Sequence, residues 1–384
     1  MAEQNFIPVG RYDIRVGEPL PYSIYDRSGM LLLRRGFVIH LQRQLEVLLN
    51  NGVYHAAAEP RPQRGNPAPL PPVQNEAKST FEMLDIVKLR LKRLFDNFRV
   101  GREIDQFPTR VEDIALTIQE ACTHDTDAAL ANLHLDYDSS YAVVHHLQAA
   151  IVCELIGKRL GVKDETRLPL ICAGITHDWG LLDIQDELDR QAAPLTEAQQ
   201  ARINAHPRDG GEQLRALGVT DAQWLDAVRH HHERLDGSGY PDRLREDAIG
   251  VPTRVLAVAD MYSAMVRDRP YRKALVSKEA MRSLMLEQGA KTDSRLIQMM
   301  IKELGVFPPG AIVKLASGEI AVVTKRQQNS LAPIVAAFIR PDGMPMLAPT
   351  RRETAGASHA VEGMVPFSQY KGSIAIIRSI WNDA

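Results

Sequence analysis

The residues of this chain that could do chemistry recur along its middle: His145, the pair His177-Asp178, His206, the pair His231-His232, and Asp260. Successive points lie 25 to 32 residues apart, about one long helix plus a connection, so equivalent points on the helices of a bundle can face one interior spot. Histidine nitrogen with carboxylate oxygen suits iron, manganese or zinc, and the absence of cysteine from the set argues against a structural zinc site. An aspartate can bridge two cations, and a bridged pair can activate a water for attack on phosphorus. The His177-Asp178 pair lies between Ala173-Gly174-Ile175-Thr176 and Trp179-Gly180. Buried ionisable groups need partners, and a cation is one. A lone helical histidine is more often a surface or satisfied core residue. His124, His134, His146 and His230 fit that reading, and His40, His55 and His359 fall outside the helical region.

The elements that must position these residues follow from the patterning. Residues 1–58 show short apolar segments and turn signals, with Met30-Leu31-Leu32-Leu33 reading as a buried strand and Leu41, Leu45, Leu48 and Leu49 as a helix face. This is a small α+β N-terminal module. Residues 59–78 form a linker whose prolines (Pro60, Pro62, Pro67, Pro69, Pro71, Pro72) favour a stiff, extended chain. Ser79 followed by Glu82 predicts a capping box opening a long helix, with Phe81, Leu84, Val87, Leu91, Leu94 and Phe98 on one face. Residues 79–306 read as a helical bundle. After Phe307-Pro308-Pro309-Gly310 the pattern predicts a hairpin, Ala311–Leu315 and Glu319–Val323 around Ser317-Gly318, with further strands at Pro333–Ile339 and Ile374–Ile377. Residues 307–384 are therefore expected to be a small β C-terminal module, a partly closed barrel. The fold class is mainly α.

Composition narrows the function classes. Lysine plus arginine total 46 against 48 acidic residues, a net charge of -2, so nothing pulls the whole chain toward a nucleic acid polymer. Cys122, Cys153 and Cys172 are far apart in apolar contexts and read as buried hydrophobes of a reducing compartment. No stretch approaches the ~18 apolar residues of a membrane span, and the N-terminus lacks a secretion signal. The expectation is a cytoplasmic, soluble protein without membrane partners.

The segment His231-His232-Glu233-Arg234-Leu235-Asp236-Gly237-Ser238-Gly239-Tyr240-Pro241 resembles the signature of the HD-GYP family of bacterial cyclic dinucleotide phosphodiesterases. Val258-Ala259-Asp260-Met261-Tyr262 and Arg269-Pro270-Tyr271-Arg272 follow in the family's order, and Leu195-Thr196-Glu197 precedes His206-Pro207 as in the family. His145 stands at the family's first histidine position, judged from its distance to Leu160-Gly161. The resemblance covers roughly residues 110 to 305. It implies an HD-type bundle holding two divalent ions, iron or manganese, with Asp178 bridging. His145, His177 and Asp260 would serve one ion and His206, His231 and His232 the other. His177 and Asp178 would be catalytic, and Tyr240, Gly239, Arg269 and Arg272 would meet the substrate. The implied reaction is hydrolysis of cyclic di-GMP to pGpG, and onward to GMP, lowering the messenger level. Implied partners are the dinucleotide, signalling proteins such as diguanylate cyclases, and a second copy in a homodimer. The bland alternatives are a solvated helix end for the two arginines and a loop-shaping role for Tyr240-Pro241.

Three positions depart from the family. Leu181 replaces the lysine that usually completes His-Asp-x-Gly-Lys, Ser263 replaces an aspartate, and Tyr141 replaces a glutamate that holds a third metal in some members. Loss of one preorganised cation costs roughly 3 kcal/mol of transition-state stabilisation. The competing expectation is therefore a weak or inactive HD-GYP-like domain that binds a cyclic dinucleotide or docks a protein. A third is hydrolysis of another phosphate ester. Near the N-terminus, Arg11–Arg15 with Asp26-Arg27-Ser28-Gly29 partly matches a PilZ-type cyclic di-GMP motif, but Leu31 breaks its second half.

Overall fold

Ser79 opens the first long helix as its sequence predicts. Its hydroxyl accepts the Glu82 amide while the Glu82 carboxylate accepts the Ser79 amide, and the helix α1 runs Thr80–Arg99. In this computed structural model the described residues are 6–9, 13–14, 18–25, 31–33, 35–37, 39, 54–56, 78–136, 139–266, 275, 277–287 and 291–381. The chain divides into two compact units, Met1–Glu76 and Ala77–Ala384.

In the first unit, strands β1 (Phe6–Pro8), β2 (Ile24–Tyr25), β3 (Leu31–Leu33) and β4 (Tyr54–Ala56) form an antiparallel sheet in the order β1-β4-β2-β3. Val9, Ile14, Leu20, Tyr22, Ile24 and Ile39 make its core. The predicted helix face at Leu41–Leu49, the linker, and the two halves of the PilZ-like motif lie largely or wholly outside the described residues.

The second unit is built on α1, α2 (Phe107–His124), α3 (Thr126–His134), α4 (Tyr141–Arg159), α5 (Asp164–Thr176), α6 (Gln185–Leu188), α7 (Glu197–Ala216), α8 (Ala222–His230), α9 (Val251–Met265), α10 (Ser277–Glu287) and α11 (Ser294–Leu304). Helix α4 is buried continuously from Ala142 to Gly157, as expected of a segment apolar on all sides. It is the axis of the main core, which gathers side chains from α1 to α5 and from α7 to α11. Cys122, Cys153 and Cys172 are buried free thiols, and burial pushes each one's pKa up.

The C-terminal strands β5 (Ile312–Leu315), β6 (Ile320–Lys325), β7 (Ile334–Ile339), β8 (Pro345–Glu353) and β9 (Val361–Met364) form one antiparallel sheet in the order β8-β7-β6-β5-β9. The hairpin pairs Ile312 with Val322 and Lys314 with Ile320. Two expectations are corrected. The sheet is open between the edge strands β8 and β9 rather than a partly closed barrel. The segment Ile374–Ile377 is helical, part of α12 (Ile374–Ser379), because it buries Ile377 and then Trp381 at helical spacing against Phe81. A short apolar run does not distinguish strand from helix. Among the described residues no helix is long and apolar enough to cross a membrane.

Candidate metal centre

The bundle brings the seven predicted ligands to one place. His145 comes from the first turns of α4, and His177 caps the C-terminus of α5 with Asp178 behind it. His206 lies in α7, His231 caps α8 with His232 next, and Asp260 comes from α9. The predicted ligands form two donor groups, Asp178, His206, His231 and His232, and beside them His145, His177 and Asp260, while a third group joins the unpredicted His146 to His177 and Asp178; the ligand atoms of each lie within 4.8 Å of one another.

Asp178 stands between the two groups with one oxygen toward each. Its Oδ2 is 3.5 Å from Nε2 of both His145 and His177, while Oδ1 is 3.1 Å from His206 Nε2 and 3.8 Å from His231 Nε2. Asp260 Oδ1 closes the other side, 3.1 Å from His145 Nε2 and 3.6 Å from His177 Nε2. The turn Trp179–Leu181 that follows Asp178 sits hard against α7, where a side chain on Gly180 would collide with the His206 carbonyl.

Backbone carbonyls fix the orientation of three imidazoles. Nδ1 of His177 donates to the Gly174 carbonyl at 2.9 Å, Nδ1 of His206 to Ile203 at 2.6 Å, and Nδ1 of His231 to Val228 at 2.7 Å. Each acceptor lies three residues before its histidine. His177 and His231 end their helices, where the last carbonyls lack amide partners. His206 lies inside α7, but Pro207 follows it. Proline has no N–H to give the carbonyl four residues earlier, that of Ile203, so this acceptor is free. In the neutral form of these three rings it is Nε2 that carries the lone pair and faces the centre, the tautomer that ligation requires.

The Nε2 atoms crowd together in two pairs. His145 and His177 Nε2 are 3.2 Å apart, as are His206 and His231 Nε2. Without a proton or cation between them such pairs repel. A separation of about 3.0–3.4 Å is the edge between neighbouring ligands at bonds of about 2.1 Å. The donor set thus fits divalent cations.

The electrostatics agree. Burial alone would raise the carboxylates, but His177 and the bonds from His145, His206 and His231 hold Asp178 well below the usual range. His145 and His177 do the same for Asp260. Burial lowers His231 and His232. Ionised aspartate and neutral imidazole are the ligating forms. His177 differs: burial opposes its charged form, yet Asp178 and Asp260 raise it to about 9. A cation would compete with that proton.

Around the centre, Tyr240 is half-buried with its ring 4.9 Å from that of His232, and Gly239 is buried. Burial, then Asp260 and Asp178, keep the Tyr240 phenol protonated. Arg269 and Arg272 lie outside the described residues. Leu181 is buried in the turn after Asp178, Ser263 is buried with its hydroxyl unpartnered, and the Tyr141 ring stacks on His145 at 5.0 Å.

Sequence reasoning set His146 aside. The structure buries it against His177, 4.7 Å between rings, with Nε2 unpartnered and burial holding it well below its ordinary pKa. The missed signal was its place on a helix that has no polar face. His230 and Asp242 were also missed: they form an ion-pair network beside the centre, described below.

A family model for the HD domain matches residues 128–296. The match is a likeness to the HD domain over the part of the chain that holds the centre. A cyclic di-GMP phosphodiesterase of Pseudomonas aeruginosa is 27% identical over 82% of this chain and 78% of its own length. A 3'3'-cGAMP-specific phosphodiesterase of Vibrio cholerae is 31% identical over 45% of this chain and 40% of its own. A cyclic di-GMP phosphodiesterase response regulator of Xanthomonas campestris is 35% identical over 39% of this chain and 40% of its own. The chain thus spans about two-fifths of the length of the last two. Among solved structures, an HDG"Y"P protein from Bdellovibrio bacteriovorus superposes with a TM-score of 0.52 at 14% identity, covering 78% of this chain and 99% of that one, a likeness of fold. All seven candidate ligands fall inside the matched residues.

Proposed function

We propose that the HD domain is a metal-dependent phosphodiesterase that hydrolyses cyclic di-GMP to pGpG and onward to GMP, lowering the messenger level in a bacterial cytoplasm. The observation that carries this is the placement of Asp178, one carboxylate oxygen toward each of two donor groups. On this reading two ions, iron or manganese, are held by His145, His177 and Asp260 on one side and His206, His231 and His232 on the other, with Asp178 shared. Bound divalent cations supply positive charge for the attacking and leaving oxygens of a phosphodiester. His177 and Asp178 act through that pair. The protonated Tyr240 phenol donates a hydrogen bond to a phosphate or base edge, the Gly239 backbone lets the substrate approach, and Arg269 and Arg272 offer forked donors to phosphate. Diguanylate cyclases and a second copy of the chain are the partners this role suggests, and residues 1–58 and 307–384 are the flanking modules.

Names of the relatives support the substrate class: they act on cyclic di-GMP or 3'3'-cGAMP. The test is protein loaded with iron or manganese under reducing, anaerobic conditions, given each dinucleotide and followed by chromatography. Linear product from cyclic di-GMP is expected, and intact substrate at full metal loading overturns the proposal. A second reading rests on Leu181, an apolar residue buried where the family's lysine would stand. It makes the domain a dinucleotide-binding or docking module with slow turnover. Calorimetry separates the two, since tight binding without product favours the second.

A further inference from the structure

Helix α8 ends in Arg229-His230, directly before the ligand pair His231-His232, and its last turn reaches across to the loop after Tyr240-Pro241. His230 is held at both ring nitrogens, Nδ1 at 2.8 Å from Asp226 Oδ1 and Nε2 at 2.9 Å from Asp242 Oδ2. Both partners are carboxylates, so both nitrogens donate. Asp226 is itself fixed by the Thr253 hydroxyl at 3.0 Å, from α9. Arg229 grips the same Asp242 with two bonds, Nε to Oδ2 at 2.8 Å and an Nη to Oδ1 at 3.1 Å. From below, Glu233 accepts the Asp242 amide at 2.6 Å and the Leu244 amide at 3.0 Å. The other end of the loop lies flat on the ligand pair, where a side chain on Gly239 would run into the backbone of residues 232–234.

Tyr240 therefore sits between two attachments, the glycine contact before it and Asp242 after it. We infer that Asp242 is a positioning residue, clamped by Arg229 and His230 so that the Tyr240 loop and the His231-His232 pair are held as one body. Its carboxylate does not touch the reacting atoms. It sets where the Tyr240 hydroxyl stands relative to the centre, and so how well substrate is gripped rather than how fast a gripped substrate reacts. The clamp's effect on substrate rests on the function proposed above, but its effect on the loop does not. Outer partners of this kind typically change affinity about 10–100-fold.

The test uses the full chain, metal-loaded, with Asp242→Ala, Asp242→Asn and His230→Gln. Asp242→Ala removes the acceptor of both cations. Asp242→Asn keeps one acceptor, and His230→Gln leaves the Arg229 bonds in place. Two readouts are taken: KM and kcat on cyclic di-GMP, and hydrogen exchange of the Asp242 and Leu244 amides without substrate. For Asp242→Ala the expectation is faster exchange and a KM raised about tenfold or more, with kcat and metal content near wild type. Asp242→Asn and His230→Gln should fall between. A purely structural role would lower folded fraction, metal content and kcat together and leave KM alone, and that result overturns the inference. Unchanged exchange and unchanged KM also overturn it. If the wild-type protein neither binds nor hydrolyses the dinucleotide, the functional reading fails, and amide exchange alone then decides the clamp.

Discussion

Two regions of the same bundle bury carboxylates and treat them in opposite ways. Glu154 on α4 is fully buried, and Arg167 on α5 meets it with two bonds of 2.8 Å. Asp136, just before α4, is buried with the Lys88 ammonium 2.6 Å away. At the centre, Asp178 and Asp260 are as deeply placed, yet among the described residues their ion pairs are all to histidines. Leu181 stands where a lysine would have been available. A carboxylate out of water is costly unless neutralised. The chain supplies its own fixed cations where the charge is structural. It leaves two carboxylates facing only histidines where a bound cation would neutralise them.

The largest effect should come from breaking the centre. Asp178→Asn preserves shape and removes the shared charge, so bound metal should fall in elemental analysis and hydrolysis should drop about 10²–10³-fold. Chelation should lower the thermal midpoint of the wild-type protein by linkage and leave that of the variant unmoved. A variant retaining both metal and activity would remove the distinction between the regions. The counterpart, Glu154→Gln, should do the reverse. It leaves Arg167 with the exposed Asp164 as its remaining carboxylate and costs on the order of 3 kcal/mol in chemical denaturation, while metal per folded chain stays constant.

The structural pairs also respond to acid in a way that can be isolated. Burial opposes ionisation of Asp136, but Lys88 and Ser139 lower it to about 2 from 3.8. A depressed carboxylate contributes stability that is present above about pH 4 and lost as pH falls toward 2, here about 2 kcal/mol. Asp136→Asn should therefore be less stable than wild type at pH 6, with the gap closing near pH 2. A constant gap would mean that the Lys88 contact carries no charge-dependent stability.

How much of this was legible in the sequence depends on whether the signal was local. The capping box at Ser79 and the hairpin around Gly318 rest on short-range chemistry, and the structure has both; the regular spacing of the candidate ligands is met by their gathering at one place in the bundle. The helix at Ile374 was misread because its apolar spacing resolves only against Phe81, a contact across nearly the whole chain. Strand β8 lies outside the predicted strands, and its Pro345 and Pro349 are tolerated because it is an exposed edge. The Glu154–Arg167 pair, His146 and the Asp242 network depend on which helix faces meet, and no spacing rule encodes that. The reason for the proline beside His206 was not legible either.

That proline is the smallest and most specific handle on the comparison. Structural carboxylates are held by side-chain cations, but the ligand imidazoles are held by carbonyls that the backbone has left free. At His177 and His231 the helix simply ends. At His206 it does not, and Pro207 supplies the vacancy by withholding an amide from Ile203. Pro207→Ala returns an N–H to that carbonyl, which must then be shared with His206 Nδ1. The helix itself should gain, since an interior proline is replaced by the best helix former, so global stability should rise or hold. Metal affinity should fall about tenfold, the scale of losing one hydrogen bond that orients a ligand ring. Competition with a chelator of known affinity measures it. Opposite signs for the two quantities would show that α7 carries its proline for the imidazole. A parallel change in both would mean that Pro207 shapes the helix and nothing more.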